Sequence, residues 1–131
     1  MNLTVDHYAV RTRDIEKSIE FYCEKLGLKL LSKTVDEEHN EIFAFLQLEN
    51  GMLELLQVID NDNLFAVPKL KPPYTPHIAL KTDDIENSVL LLMQKNIDIV
   101  KGPLEIKNLV KWLYIADPDN NIIEFVQWLN A

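Results

Sequence analysis

The chain repeats itself. His7-Tyr-Ala-Val-Arg-Thr-Arg-Asp-Ile-Glu-Lys-Ser18 lies over His77-Ile-Ala-Leu-Lys-Thr-Asp-Asp-Ile-Glu-Asn-Ser88 at an offset of 70 residues, with seven of the twelve positions identical, where average composition gives about one. At the same offset Asn50-Gly-Met-Leu-Glu-Leu-Leu-Gln57 lies over Asn120-Asn-Ile-Ile-Glu-Phe-Val-Gln127. In 131 residues this restricts the chain to one supersecondary unit used twice. Each copy brings one imidazole and one carboxylate: His7 and Glu54 in the first, His77 and Glu124 in the second. Two copies related by a pseudo-twofold axis can direct four such groups at one point. Two neutral imidazoles and two carboxylates balance the charge of a divalent cation.

Hydrophobic periodicity gives each copy the same order of elements. In the first, Leu3 to Thr12 alternates as a strand, and Asp14 is the expected helix N-cap. Ile15, Ile19, Tyr22 and Leu26 then recur at helical spacing, and Gly27 ends the helix. Strands are expected over Leu28 to Val35, Glu41 to Leu48 and Met52 to Val58, with a tight turn at Glu49-Asn-Gly51. The second copy reads as strand Thr75–Lys81, a helix capped by Asp84 over Ile85–Lys95, strand Ile97–Lys101, a break at Gly102-Pro103, strand Leu109–Ala116, turn Asp117-Pro-Asp-Asn-Asn121 and strand Ile122–Trp128. Its helix is one residue shorter. The fold class is therefore α+β, with two βαβββ modules at about 1–59 and 75–131 in a single domain. A Pro-bearing linker at about 60–74 joins them, with Phe65 and Val67 expected to pack as a lid or against a partner.

Side chains two apart on a strand share a face. His7 shares one with Val5, Ala9 and Arg11, and His77 with Thr75, Ala79 and Lys81. Glu54 shares one with Met52, Leu56 and Val58, and Glu124 with Ile122, Val126 and Trp128. Tyr8 and Val10 point the other way, toward the helix. A carboxylate set mid-strand among apolar neighbours is costly unless it is paired or bound to a metal. Singly, each residue has a plainer reading, a core histidine or a glutamate on a solvated face; a duplicated salt-bridged core without metal is the plainer reading of all four. Their symmetric recurrence favours a metal site, and two imidazoles with two hard oxygens suit Ni, Co, Zn, Mn or Fe.

The bulk numbers narrow the partners. A net charge of −8 argues against nucleic acid and anionic membranes, which select basic patches. The lone Cys23 excludes an internal disulfide and fits a reducing compartment. No apolar run approaches a membrane span and no N-terminal stretch resembles a signal peptide, so a cytoplasmic protein is expected. Exposed sheet edges and an apolar cleft suggest a homodimer. Cys23 reads as core filler, and His39, in the acidic turn Asp36-Glu-Glu-His-Asn40, as solvated. Trp112 and Trp128 read as core or cleft lining, with Trp128 on the better face. Arg11 and Lys81, the only cations sharing a face with the four ligands, are candidates for holding an anionic substrate.

The chain resembles the vicinal-oxygen-chelate superfamily, which includes glyoxalase I, methylmalonyl-CoA epimerase, extradiol dioxygenases, fosfomycin-resistance thiol transferases and bleomycin-binding proteins. The carriers are His7 with the downstream Arg13-Asp-Ile-Glu-Lys-Ser-Ile-Glu-Phe-Tyr22, Glu54 in Leu53-Glu-Leu-Leu56, Pro76-His-Ile-Ala-Leu80 and Asp117-Pro-Asp-Asn-Asn-Ile-Ile-Glu124, over nearly the whole chain. The resemblance implies a cupped, barrel-like mixed sheet with helices outside. It also implies a dimer in which modules of different chains share a site, and metal ligands His7, Glu54, His77 and Glu124. The implied activity is that of a glyoxalase I-like lyase or isomerase, shuttling a proton between adjacent carbons of a small molecule through a metal-stabilised enediolate. Glu124 is the first candidate for the base and Glu54 the second, with Arg11, Lys81 and Trp128 toward the substrate. An epimerase, an iron dioxygenase using His7, His77 and Glu124, and a non-catalytic small-molecule-binding protein are the alternatives. The complete ligand set speaks against the bleomycin-binding branch, and Glu54 against the thiol transferases. Asn120 stands where Gly is usual, and Leu55-Leu-Gln-Val-Ile59 lacks the polar pattern of glutathione-using members.

Overall fold

The computed structural model describes residues 1–59 and 65–129, so residues 60–64 of the expected linker lie outside the described residues. The chain divides into two compact units, Met1–Ala66 and Val67–Ala131. The first runs β1 (His7–Arg11), α1 (Ile15–Ile19) continued by a π-helical segment (Glu20–Lys25), β2 (Lys29–Asp36), β3 (Glu41–Leu48) and β4 (Gly51–Val58). The second runs β5 (His77–Lys81), α2 (Ile85–Gln94), β6 (Ile99–Ile106), β7 (Val110–Ala116) and β8 (Ile122–Trp128). The sheets are ordered β1-β4-β3-β2 and β5-β8-β7-β6. In each the first strand pairs parallel with the last and the other pairs are antiparallel. Two four-stranded mixed sheets, each with a helix in the crossover, are the α+β, twice-used βαβββ arrangement expected from the repeat.

Each crossover helix is fastened by the same residues. Asp14 caps α1 by accepting from the N–H groups of Glu16 and Lys17, and Asp84 caps α2 by accepting from Asn87 N–H. The Oγ atoms of Thr12 and Ser18 lie 2.5 Å apart, and those of Thr82 and Ser88 2.8 Å apart. Gln57 Oε1, at the end of β4, accepts from Ile15 N–H at 2.9 Å, and Gln127 Oε1, near the end of β8, accepts from Ile85 N–H at 2.9 Å. These bonds satisfy N–H groups that a helix start leaves without intrahelical partners. Thr, Asp, Ile and Ser recur in the first motif because they build this junction. The repeat is in large part a capping motif, and the same glutamine ties the helix to the strand that carries Glu54 or Glu124.

Beneath each helix the sheet is dry. Ala44 and Leu46 of β3, Leu53 and Leu55 of β4, and Ile15, Phe21 and Tyr22 are buried in the first unit; Leu113 and Ile115 of β7, Ile123 of β8, Ile78, Ile85 and Leu92 are buried in the second. Burying one such side chain stabilises by roughly 1.5–3 kcal/mol, so these faces hold each unit together. The opposite faces carry His7 and Glu54, or His77 and Glu124.

Three local details depart from the sequence reading. Regular pairing in the first strand begins at His7 rather than Leu3, because only 7 to 11 find partners on β4; Tyr8, expected against the helix, is largely exposed. The extra residue of the first helix is absorbed as a π-helical segment. Leu26 N–H donates to Phe21 C=O at 3.1 Å, a five-residue step, which brings Phe21 to the core beside Tyr22. Five α-helical and six π-helical residues thus stand against ten α-helical residues in α2. Gly102-Pro103 does not end β6, which runs through it with a shift of register against β7 between Lys101 and Leu104. Gly102 has φ +105, and a Cβ there would meet Trp112 O at 2.9 Å, so only glycine fits this bulge.

Gln57→Leu or Gln127→Leu is expected to lower stability by about 1–3 kcal/mol, the cost of a buried N–H left without its acceptor, read as a reduced urea midpoint at unchanged slope. Deleting Glu24, an exposed residue of the π-helical segment, should leave a ten-residue helix like α2 and a folded chain. Deleting Leu91 from α2 has no wide turn to absorb it and should cost far more in a thermal melt.

Candidate functional site

Parallel pairing sets the geometry of both His–Glu pairs. Ala9 is the Cα partner of Glu54 on β1/β4, and Ala79 that of Glu124 on β5/β8. Each histidine therefore lies two residues along its strand from the residue opposite the glutamate, on the same face. The small alanine side chains leave room between them. His7 Nε2 is 3.5 Å from Glu54 Oε1, and His77 Nε2 is 2.8 Å from Glu124 Oε2. Both glutamates are mostly buried, at 16% side-chain exposure.

The other ring nitrogen is held in each case. His7 Nδ1 lies 2.7 Å from the Asp6 carboxylate, and His77 Nδ1 lies 2.7 Å from the Tyr74 carbonyl oxygen. A carbonyl can only accept, so Nδ1 of His77 carries the hydrogen and Nε2 is the nitrogen turned to Glu124. A ring nitrogen and a carboxylate oxygen at 2.8 Å need a proton or a cation between them. This arrangement, with Nδ1–H on an oxygen acceptor and Nε2 beside a carboxylate, is how proteins orient metal-ligating histidines. Each pair offers one imidazole nitrogen and one carboxylate, donor types that suit a divalent metal. Among the described residues no group of three or more His, Cys, Asp or Glu side chains is placed to hold a metal ion; each unit has one His–Glu pair.

Aromatic rings wall the pairs and distinguish them. Phe45, the Cα partner of Glu54, meets His7 edge to face at 5.3 Å, and Phe43 packs on Phe45. Tyr114, the Cα partner of Glu124, meets His77 at 5.6 Å and stacks on Tyr74 at 4.6 Å with 22° between the rings. Burial, then Glu124, raises the Tyr114 phenol above its ordinary value, with a further push from Tyr74 and an opposing hydrogen bond from Trp112. It remains a neutral hydroxyl beside the carboxylate. Phe43, Phe45 and Tyr114 were missed in the sequence, while Trp112 was read there as core or cleft lining. A signal existed: past the one-residue difference in helix length, the two copies align at an offset of 69, placing Phe43 over Trp112 and Phe45 over Tyr114.

The remaining candidates are placed as follows. The Arg11 guanidinium lies over the Phe65 ring at 4.9 Å and that of Arg13 at 5.8 Å, so Phe65 packs on cations. Lys81 is exposed at the end of β5. Trp128 is 51% exposed at the end of β8, opposite Val110. Cys23 is half-buried, and its thiol is raised by burial first and by Glu24 second, the reverse of an activated nucleophile. His39 is exposed and bound to Asp36 at 2.8 Å within its turn. Asp117 organises the Asp117–Asn121 turn: its Oδ1 accepts from the N–H groups of Asp119 and Asn121. Asn120 takes the left-handed conformation, φ +63, where glycine was the usual residue.

Comparison with known proteins agrees with this architecture. The chain is 34% identical over 127 residues to the uncharacterised protein YwbC of Bacillus subtilis, covering 94% of this chain and 96% of that one. It is 29% identical over 131 residues to a probable lactoylglutathione lyase of Synechocystis, covering 92% of each. The crystal structure of TnmS3, an antibiotic binding protein from Streptomyces, superposes with a TM-score of 0.73 at 22% identity over 97% of both chains, a likeness of fold. Residues 4–125 match the model of the Glyoxalase/Bleomycin resistance protein/Dioxygenase superfamily, and the chain belongs to that family.

Proposed function

We propose that this protein is a metal-dependent enzyme of the glyoxalase I type, acting on a small molecule whose reacting carbons are adjacent. The observation that carries the reading is the duplicated pair: in both units a histidine with Nδ1 on an oxygen acceptor turns Nε2 to a mostly buried glutamate. His7, Glu54, His77 and Glu124 would hold a divalent cation such as Ni, Co, Zn, Mn or Fe. When bound, that cation supplies Lewis acidity toward a substrate oxygen. The relationship to a probable lactoylglutathione lyase supports the reaction class, and the missing glutathione pattern after Glu54 leaves the thiol partner open.

The chain's own groups have separate tasks. Glu124 is the carboxylate assigned to move a proton between the two carbons, with Glu54 as its counterpart in the first unit. Phe45 and Tyr114 stand opposite the two glutamates as the aromatic walls of the pairs. Arg11, Lys81 and Trp128 are proposed to bind the outer part of the substrate. A homodimer, in which one site draws ligands from two copies, accompanies this reading, together with a cytoplasmic location.

Metal analysis of the purified chain should find one divalent ion per set of four ligands, lost in His7→Ala and in His77→Ala. Methylglyoxal hemithioacetal should be turned over, and a chelator should stop it. Glu124→Gln should lower turnover by at least about 100-fold even at saturating metal, the scale of a lost general base. Glu54→Gln should recover part of its activity when metal is raised. If neither substitution slows proton exchange at a substrate carbon, the acid–base reading fails and a binding protein takes its place. Light scattering should give a dimer; a monomer at micromolar concentration speaks against a site shared between copies.

A further inference from the structure

The two histidines are held by different means. Asp6 holds His7 with a side chain that is 79% exposed. Tyr74 holds His77 with its backbone carbonyl, and the backbone there is unusual: φ is +60, the left-handed region in which a non-glycine residue costs roughly 1–2 kcal/mol. Its N–H donates to Lys71 C=O at 2.9 Å, closing a turn just ahead of β5. Glycine or asparagine would meet that backbone demand more easily, so the tyrosine ring must supply something to offset it. The ring stacks on Tyr114, which is edge-on to His77 and opposite Glu124 on β7/β8. Tyr74 thus makes two contacts at this site, with His77 through its carbonyl and with Tyr114, the strand partner of Glu124, through its ring.

We propose that Tyr74 is a positioning residue for His77: its carbonyl fixes which imidazole nitrogen faces Glu124, and its stack on Tyr114 keeps that carbonyl in place. The role rests on the metal-site reading for its purpose, but not for its geometry. The second unit is accordingly the more pre-organised half of the ligand set, held by main chain and packed rings. In the first unit an exposed carboxylate does the same work. The Pro72–Pro76 segment, read in the sequence only as the end of a linker and the start of a strand, becomes the mount for a ligand.

The test uses the full chain, labelled with ¹⁵N and free of metal, in wild-type, Tyr74→Gly and Tyr74→Phe forms. Glycine accepts φ +60 without strain, so Tyr74→Gly should fold while losing the stack; phenylalanine keeps the stack and loses only the hydroxyl. Solvent exchange of the His77 Nδ1–H should be slow in the wild type, at least tenfold faster in Tyr74→Gly and unchanged in Tyr74→Phe. The His7 Nδ1–H should be unaffected in all three. Zinc dissociation constants should rise about tenfold in Tyr74→Gly alone, the scale for losing an outer support of a ligand. Tyr114→Leu, which removes the other half of the stack, should reproduce the exchange result. Exchange and affinity in Tyr74→Gly both within twofold of wild type would overturn the proposal, and so would a Tyr74→Phe as impaired as Tyr74→Gly. If the wild type binds no zinc, the metal reading falls and the exchange rates alone decide the role of Tyr74.

Discussion

Everything in each unit depends on the parallel pairing of its first strand with its last. Parallel neighbours cannot be joined by a tight turn, so the chain must cross over, and here it does so through a helix and an antiparallel hairpin. That detour brings a residue from the start of the module beside one near its end, which is how His7 meets Glu54 and His77 meets Glu124. The glutamine three positions beyond each glutamate then captures the first free N–H of the crossover helix. One strand therefore sets both the acid's position and the helix's. Core packing on one face of the sheet and the His–Glu pair on the other are tied to the same register, and a slip of one residue would exchange the two faces.

Much of this was legible in the sequence because duplication doubles weak signals. A lone mid-strand glutamate means little, whereas two at the same place in a repeat identify a face. The α+β class, the order of elements and the pairing of each histidine with its own glutamate all followed from that. What escaped was set by tertiary context. Asp6 and Tyr74 hold the imidazoles from positions with no periodic signature, one through a neighbouring side chain and the other through main chain. Gly102-Pro103 reads locally as a strand breaker, yet a bulge lets β6 continue because β7 supplies partners on both sides of it. The first strand came out shorter than its alternation suggested, since alternation extends beyond the residues that have a neighbour to pair with.

The two halves resemble each other most at their helix caps and least around their histidines. Thr, Asp, Ile, Ser and Gln repeat with the same bonds, while Phe45 is exchanged for Tyr114, Phe43 for Trp112, and the Asp6 side chain for the Tyr74 carbonyl. Capping geometry tolerates few substitutes, because the acceptor must sit within hydrogen-bond reach of a fixed N–H. Ring walls have no such restriction. The halves differ in the rings around the pairs and in the acceptor that holds each imidazole, leaving two pairs of the same chemistry with different polarity around them.

The π-helical segment has an effect on the chain's one thiol. A π-helical turn is a rare local irregularity inside a helix, and in the first unit it occupies the stretch from Glu20 to Lys25. Cys23 sits inside it, half-buried and raised by that burial. Opening one turn locally costs less than unfolding a whole unit, and opening this one would expose the half-buried sulfur further. Its rate of alkylation by a small reagent therefore measures local breathing of the first helix, at a residue outside both His–Glu pairs.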